Sequence, residues 1–148
     1  MKLYLDVCCL CRLFDDQSQD KIRMEAEAIT GILKKCVAPN GWVLVGSDII
    51  SLEVSKNKDS IKRQKILNLH DGAMIKTKYN ETIKLRAKRL REYGIKLFDS
   101  LHLASSEYAE VDALLTTDKQ FISSSARSDS LINVVNPLNF FMEVLNRE

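Results

Sequence analysis

The chain has 148 residues, 45% of them hydrophobic and 28% charged, with only 5 Gly and 2 Pro. That size and balance predict one compact domain over residues 1–148 and exclude fibrous, collagen-like and low-complexity classes. The net charge is +2, and no apolar run approaches the roughly 20 residues that span a bilayer.

In chain order, residues 2–7 read as a short apolar strand with an acid near its end. That acid, Asp6, interrupts the stretch a signal peptide would need, so a cytoplasmic protein away from membranes is expected. A polar loop follows, then a helix over 20–36 with Ile22, Ala26, Ile29, Ile32 and Leu33 at helical spacing. Pro39-Asn40-Gly41 breaks the chain before a second buried strand at 42–45. Ser47 or Asp48 is suited to cap a short helix carrying Ile50, Glu53 and Val54. A basic helix is expected over 60–69, a weak strand over 73–76, and a basic amphipathic helix over 81–93 ended by Gly94. Asp99 caps or opens the next helix, which runs to about Tyr108; strand four covers 113–116, and a short helix 119–123. Residues 123–130 read as a mobile loop, 133–135 as a fifth strand, and Pro137 starts a last helix with Phe140, Phe141 and Val144.

Apolar strands alternating with helices predict an α/β fold: a three-layer α/β/α sandwich around a central, mostly parallel five-stranded sheet. In open sheets of this kind ligands bind beyond the carboxyl ends of the strands, which makes the acids informative. Asp6 ends strand one and Asp118 follows strand four. Asp99 begins the helix leading into strand four, and Glu53 rides the helix after strand two. Apolar neighbours flank Glu53 (Leu52, Val54) and Asp99 (Leu97-Phe98), surroundings that disfavour a lone carboxylate. A hard divalent cation would relieve their mutual repulsion, and oxygen ligands suit Mg²⁺ or Mn²⁺. Such an ion can activate water for phosphodiester cleavage.

Each acid also has a plainer reading: Asp6 as a strand terminator, Asp99 as a helix cap, Asp118 as a turn residue, Glu53 as an exposed helix position. Asp15, Asp16 and Asp20 fit a loop and helix start, and Asp112 a surface turn. Thr116 and Thr117 could aim a hydroxyl into the site or simply suit a strand end. His102, one turn past Asp99, could assist a proton transfer but fits a satisfied buried histidine better.

Cysteines 8, 9, 11 and 36 do not space as a disulfide framework. Cys8-x-x-Cys11 invites a metal reading, but zinc wants four ligands and His70 and His102 have no paired spacing. Reduced thiols serving as small apolar residues are expected. Between positions 56 and 96 the chain carries 13 Lys and Arg against four acids, a local balance of +9, while the remainder is −7. A cationic face that could meet a polyanion, or two well-solvated basic helices, would each produce that pattern.

Leu3-Tyr4-Leu5-Asp6 with Phe14-Asp15-Asp16-Gln17-Ser18-Gln19, Ser51-Leu52-Glu53, the run Phe98 to Ala104 (FDSLHLA) and the run Leu115 to Phe121 (LTTDKQF) together resemble the PIN-domain family, in particular VapC-like ribonuclease toxins. Asn136-Pro137 is similar to that family's last strand-to-helix junction, so the resemblance runs through essentially the whole chain. It implies a Mg²⁺- or Mn²⁺-dependent endoribonuclease, the toxin of a toxin–antitoxin module, with Asp6, Glu53, Asp99 and Asp118 as catalytic and metal-site residues. RNA as substrate, a small antitoxin protein and a homodimer are the implied partners. Val7 stands where a polar residue often follows the first acid, and Cys11 and Leu13 replace an expected Asn and Pro.

Two other readings differ in class. One is a catalytically weak PIN-like module that binds RNA or protein through the basic face. The other is a phosphotransfer domain, which the residues disfavour: Cys8 stands where an aspartate-based phosphatase wants its second Asp, and Lys76-Thr77-Lys78 where a receiver wants its phosphorylated one.

Overall fold

A run of apolar residues buried on both faces is the mark of a strand inside a parallel sheet, and two such runs form the centre of this molecule. The structure, a computed structural model, describes residues 1–147. Strand β1 (Lys2–Leu5) pairs with β2 (Val43–Ser47) on one side and β4 (Ala113–Leu115) on the other. Tyr4 lies opposite both Val45 and Leu114. Strand β3 (Ile75–Thr77) joins β2 and β5 (Asn133–Val135) joins β4, giving the order β3-β2-β1-β4-β5. All four pairings are parallel. Leu3, Tyr4, Leu5, Leu114 and Leu115 are buried, whereas the edge strands expose Ile75, Lys76 and Asn133.

Parallel strands require crossovers, and here each contains helix: α1 (Val7–Arg12) and α2 (Asp20–Val37) after β1, α3 (Asp48–Ser55) and α4 (Ser60–Asp71) after β2. Helices α5 (Glu81–Arg91) and α6 (Leu97–Tyr108) follow β3, α7 (Lys119–Arg127) follows β4, and α8 (Pro137–Arg147) closes the described chain. Helix α5 turns Ile83, Ala87 and Leu90 inward and packs on α6. Helix α8 packs on α2, where Gly31 admits the Phe141 ring; a Cβ there would lie 2.6 Å from Phe141 Cζ. The chain leaves β1 toward β2 and leaves β4 in the opposite direction toward β5, so the order reverses between β1 and β4. That reversal opens a crevice beyond their carboxyl ends.

The expected α/β architecture and strand count are observed, and the sheet is wholly rather than mostly parallel. Three local expectations change. The stretch after β1 is helical as α1, because the Asp6 side chain accepts a hydrogen bond from the Val7 amide and Cys9 and Leu10 drop into the core. Helix α7 extends to Arg127 through the Ser-rich run expected to loop: Ser124 and Ser125 are buried, and the Ser124 hydroxyl donates back to Gln120 O. Helix α6 begins at Leu97, so Asp99 sits inside its first turn rather than capping it. No helix among the described residues is long and apolar enough to cross a membrane.

Candidate metal centre

The ladder between β1 and β4 carries Asp6 into the crevice: its amide donates to Leu115 O at 2.9 Å, and the next residue starts α1. Asp6 is 5% exposed, and its carboxylate is fixed from several sides. Oδ1 accepts from the Val7 amide at 2.7 Å, and Oδ2 accepts from the Thr116 hydroxyl at 2.9 Å and the Cys8 thiol at 3.4 Å. The same Thr116 oxygen accepts the Asp118 amide at 3.1 Å, so one hydroxyl links the acids that follow β1 and β4. Asp118 also caps α7, accepting from the amides of Gln120 and Phe121.

Glu53 enters from α3, whose start is capped by Ser47 rather than Asp48, through the Ile50 amide. Its carboxylate meets His102 Nε2 at 2.7 Å, and that nitrogen also lies 3.5 Å from Asp6 Oδ1. His102 is fully buried on α6. Ligand atoms of Asp6, Glu53 and His102 all lie within 4.8 Å of one another, close enough to share a cation. Burial alone would lower the His102 pKa, but the carboxylates of Asp6, Glu53 and Asp99 outweigh it and the net shift is upward.

Asp99, half-buried in the first turn of α6, belongs to the same electrostatic site. Its pKa is pushed up to about 7, first by burial and then by the charges of Asp6, Asp118 and Glu53, with His102 opposing. A carboxyl raised by burial and by neighbouring acids marks a pocket short of positive charge. The donor set therefore fits a divalent cation: carboxylate oxygens suit Mg²⁺ or Mn²⁺, and an adjacent imidazole is compatible with Mn²⁺.

Of the four acids singled out in the sequence, Asp6 and Glu53 meet around His102, Asp118 is tied to Asp6 through the Thr116 hydroxyl, and Asp99 lies near enough for the charges of the other three to act on it, outside the group whose ligand atoms could share a cation. Asp15, Asp16 and Asp20 stay local: Asp15 pairs with Arg12 and Lys62, Asp16 accepts the Ser18 amide, and Asp20 pairs with Arg23. Asp112 accepts the Lys2 amide at the opposite end of the sheet. The cysteines are free, and Cys9 donates to Leu115 O inside the core.

Three contributors escaped the sequence. Tyr4 carries no local signal, because its partners Ser47 and His102 lie 43 and 98 positions away, and Cys8, which bonds Asp6 two positions away, reaches Thr116 only across 108. Glu25, 1% exposed, accepts from Arg12 Nε at 3.1 Å and Asn136 Nδ2 at 2.6 Å, tying α1 and α2 to the junction before α8. An acid on the otherwise apolar face of α2, beside Ala26 and Ile29, was its one available signal.

No protein-family model matches the chain, and no curated protein matches it. Solved structures do. A chain of the VapBC-1 complex from nontypeable Haemophilus influenzae aligns over 93% of this chain and 98% of its own, with a TM-score of 0.59 at 17% identity. A chain of VapBC2 from Rickettsia felis, bound to a DNA fragment from its promoter, covers 91% and 98% with a TM-score of 0.58 at 17% identity. A toxin–antitoxin complex from Klebsiella pneumoniae covers 91% and 97% with a TM-score of 0.58 at 20% identity. At such identities the likeness is one of fold, and it extends over nearly the whole length of both partners.

Proposed function

We propose that this chain is a divalent-cation-dependent endoribonuclease and the toxin of a toxin–antitoxin module. The observation that carries the reading is the meeting of Asp6 and Glu53 around His102 at the sheet's switch point, beside an Asp99 whose pKa is pushed up to about 7 by burial first and then by the neighbouring acids. Acids so placed are costly unless a cation joins them, and the cost is offset where a cation is part of the chemistry. The fold neighbours, all chains of toxin–antitoxin complexes, support the module.

In this mechanism Asp6, Glu53, Asp99 and Asp118 would hold Mg²⁺ or Mn²⁺. When bound there, the ion would supply Lewis acidity toward a phosphate oxygen and a lowered pKa for a water that attacks phosphorus. Asp6 serves as the rigid member, held by Val7 N–H, Thr116 and Cys8. Thr116 keeps Asp6 and Asp118 in register across β1 and β4. The exposed Lys84, Lys88 and Arg91, on one flank of α5, hold RNA through its phosphates. A small antitoxin is the expected protein partner.

The test is cleavage of mixed structured RNAs. EDTA should abolish it, Mn²⁺ or Mg²⁺ should restore it, and Asp6→Asn should lower it by two orders of magnitude or more. Full activity in EDTA or in Asp6→Asn would reject the reading. Equal RNA binding by wild type and Asp6→Asn, with no product from either, would leave an RNA-binding module in its place.

A further inference from the structure

Of the two acids meeting at His102, Asp6 is fixed by a backbone amide, a hydroxyl and a thiol. Glu53 is different. It projects from a two-turn helix with its side chain 31% exposed, and its carboxylate is tied by His102. A glutamate on an exposed face samples several rotamers, and restricting them costs up to about 2 kcal/mol. Something must hold Glu53 where a cation needs it.

We propose that His102 is a positioning residue for Glu53, locked by a buried hydroxyl chain from Ser47 through Tyr4 rather than acting as a cation ligand itself. The inference rests on the cation-site reading above. Its support is an accounting of hydrogens. Ser47 Oγ accepts the Ile50 amide at 3.2 Å and lies 2.6 Å from Tyr4 Oη, which in turn lies 2.6 Å from His102 Nδ1. Tyr4 is fully buried, and a phenol keeps its single proton at neutral pH, so it has one hydrogen to give. When Ser47 donates to Tyr4 and Tyr4 donates to Nδ1, every hydroxyl hydrogen is used once, and the imidazole proton sits on Nε2 facing Glu53. When the chain runs the other way, Nδ1 donates to Tyr4. A bare Nε2 would then aim its lone pair at Glu53 Oε1, 2.7 Å away, and Asp6 Oδ1, 3.5 Å away. Lone pairs at those distances repel, so the 2.7 Å contact is a hydrogen bond from Nε2–H to Glu53, and an Nε2 that donates it has no electron pair for a cation.

The chain also joins the three elements that must agree. Tyr4 belongs to β1, two residues before Asp6; Ser47 caps the helix that carries Glu53; His102 stands one turn from Asp99 on α6. Partners that orient a ligand typically change metal affinity by about 10–100-fold when removed.

The experiment titrates Mn²⁺ into the full chain and reads the free ion by electron paramagnetic resonance. His102→Asn keeps an amide where Nδ1 meets Tyr4 but falls short of Glu53; His102→Gln reaches Glu53 with an amide N–H. His102→Asn should bind Mn²⁺ about 10–100-fold more weakly, and His102→Gln should recover most of that loss. Both variants alter the same buried position and should melt below wild type, so a merely structural role would move them together. Should His102→Asn fail to fold, Tyr4→Phe keeps the ring, breaks the hydroxyl chain and is expected to weaken Mn²⁺ binding. Unchanged affinity in His102→Asn, or in Tyr4→Phe where it replaces that variant, overturns the inference and leaves the cation site standing. Nitrogen hyperfine coupling in the wild-type Mn²⁺ spectrum also overturns it, by making His102 a ligand. No Mn²⁺ binding by wild type overturns the cation reading and this inference with it.

Discussion

Asp118 does two jobs that chemistry can separate. Its carboxylate caps α7 and contributes negative charge to the site. Asparagine caps as well as aspartate but carries no charge. Asp118→Asn should therefore unfold within about 0.5 kcal/mol of wild type yet lose cation affinity, whereas Asp118→Ala should lose affinity and about 1 kcal/mol of stability as well. Chemical denaturation beside Mn²⁺ titration checks both, and a cap-only role would leave affinity unmoved in Asp118→Asn. Asp99 makes a prediction of opposite sign to an ordinary carboxylate. Its folded pKa of about 7 exceeds its ordinary 3.8, so between these values the folded chain holds a proton that the unfolded chain has shed. This contribution to unfolding free energy falls as pH rises from about 4 to about 7 and then levels off. In metal-free buffer, the melting temperature of wild type should drop relative to Asp99→Asn across that window; parallel curves would remove the coupling. Asp6, Glu53, Asp99 and Asp118 all stood out as candidates in the sequence, because an acid at a strand end or between apolar residues is conspicuous. Thr116 was only half legible: its strand-end position showed, but its hydroxyl bond to Asp6 spans 110 positions.

Helices and strands succeeded or failed by what they pack against. The stripe Ala26, Ile29 and Ile32 marked α2 from the sequence, and these residues are indeed buried. Helix α1 has only six residues and no periodic face, so nothing local announced it; its cap comes from the same Asp6 that enters the site. Serines hid the end of α7, since hydroxyls that favour loops in water can instead return a hydrogen bond to the preceding turn. Strand β2 offers the sharpest test at this scale. A Cβ on Gly46 would lie 2.3 Å from His70 Nε2, the atom that accepts the Ser47 amide at 3.1 Å. Gly46→Ala must displace a buried imidazole at the strand end that leads into α3, at a cost of about 1–3 kcal/mol. Urea unfolding measures it, and a loss under 0.5 kcal/mol would show that His70 yields freely.

For the molecule as a whole, charge is arranged in two ways. The acids gather at the switch point, while the basic excess between 56 and 96 is distributed over α4, α5 and their flanks. Part of that excess is already engaged: Arg86 binds Glu107 and Asp129, Lys62 binds Asp15, and Lys76 lies near Asp71. Lys84, Lys88 and Arg91 remain exposed on one flank of α5 at helical spacing. If they contact phosphates, the slope of log affinity for single-stranded RNA against log salt should shrink by about 0.7 for each lysine replaced. The double change Lys84→Glu and Lys88→Glu should thus weaken binding alike across RNA sequences. A sequence-dependent loss, or an unchanged slope, would move the RNA path elsewhere.

Periodicity, strand-like runs and the placement of four acids determined from the sequence alone that this chain would alternate strand and helix and bring carboxylates to one sheet edge. Those properties are local, or follow from rules that hold for any parallel sheet. Tertiary structure alone decided that strand order reverses between β1 and β4, that one threonine hydroxyl links Asp6 to Asp118, and that Tyr4 and Ser47 stand behind His102. Such contacts join residues 43 to 110 positions apart. A hydrogen bond is set by a few ångströms in space, and spacing along the chain carries no record of it.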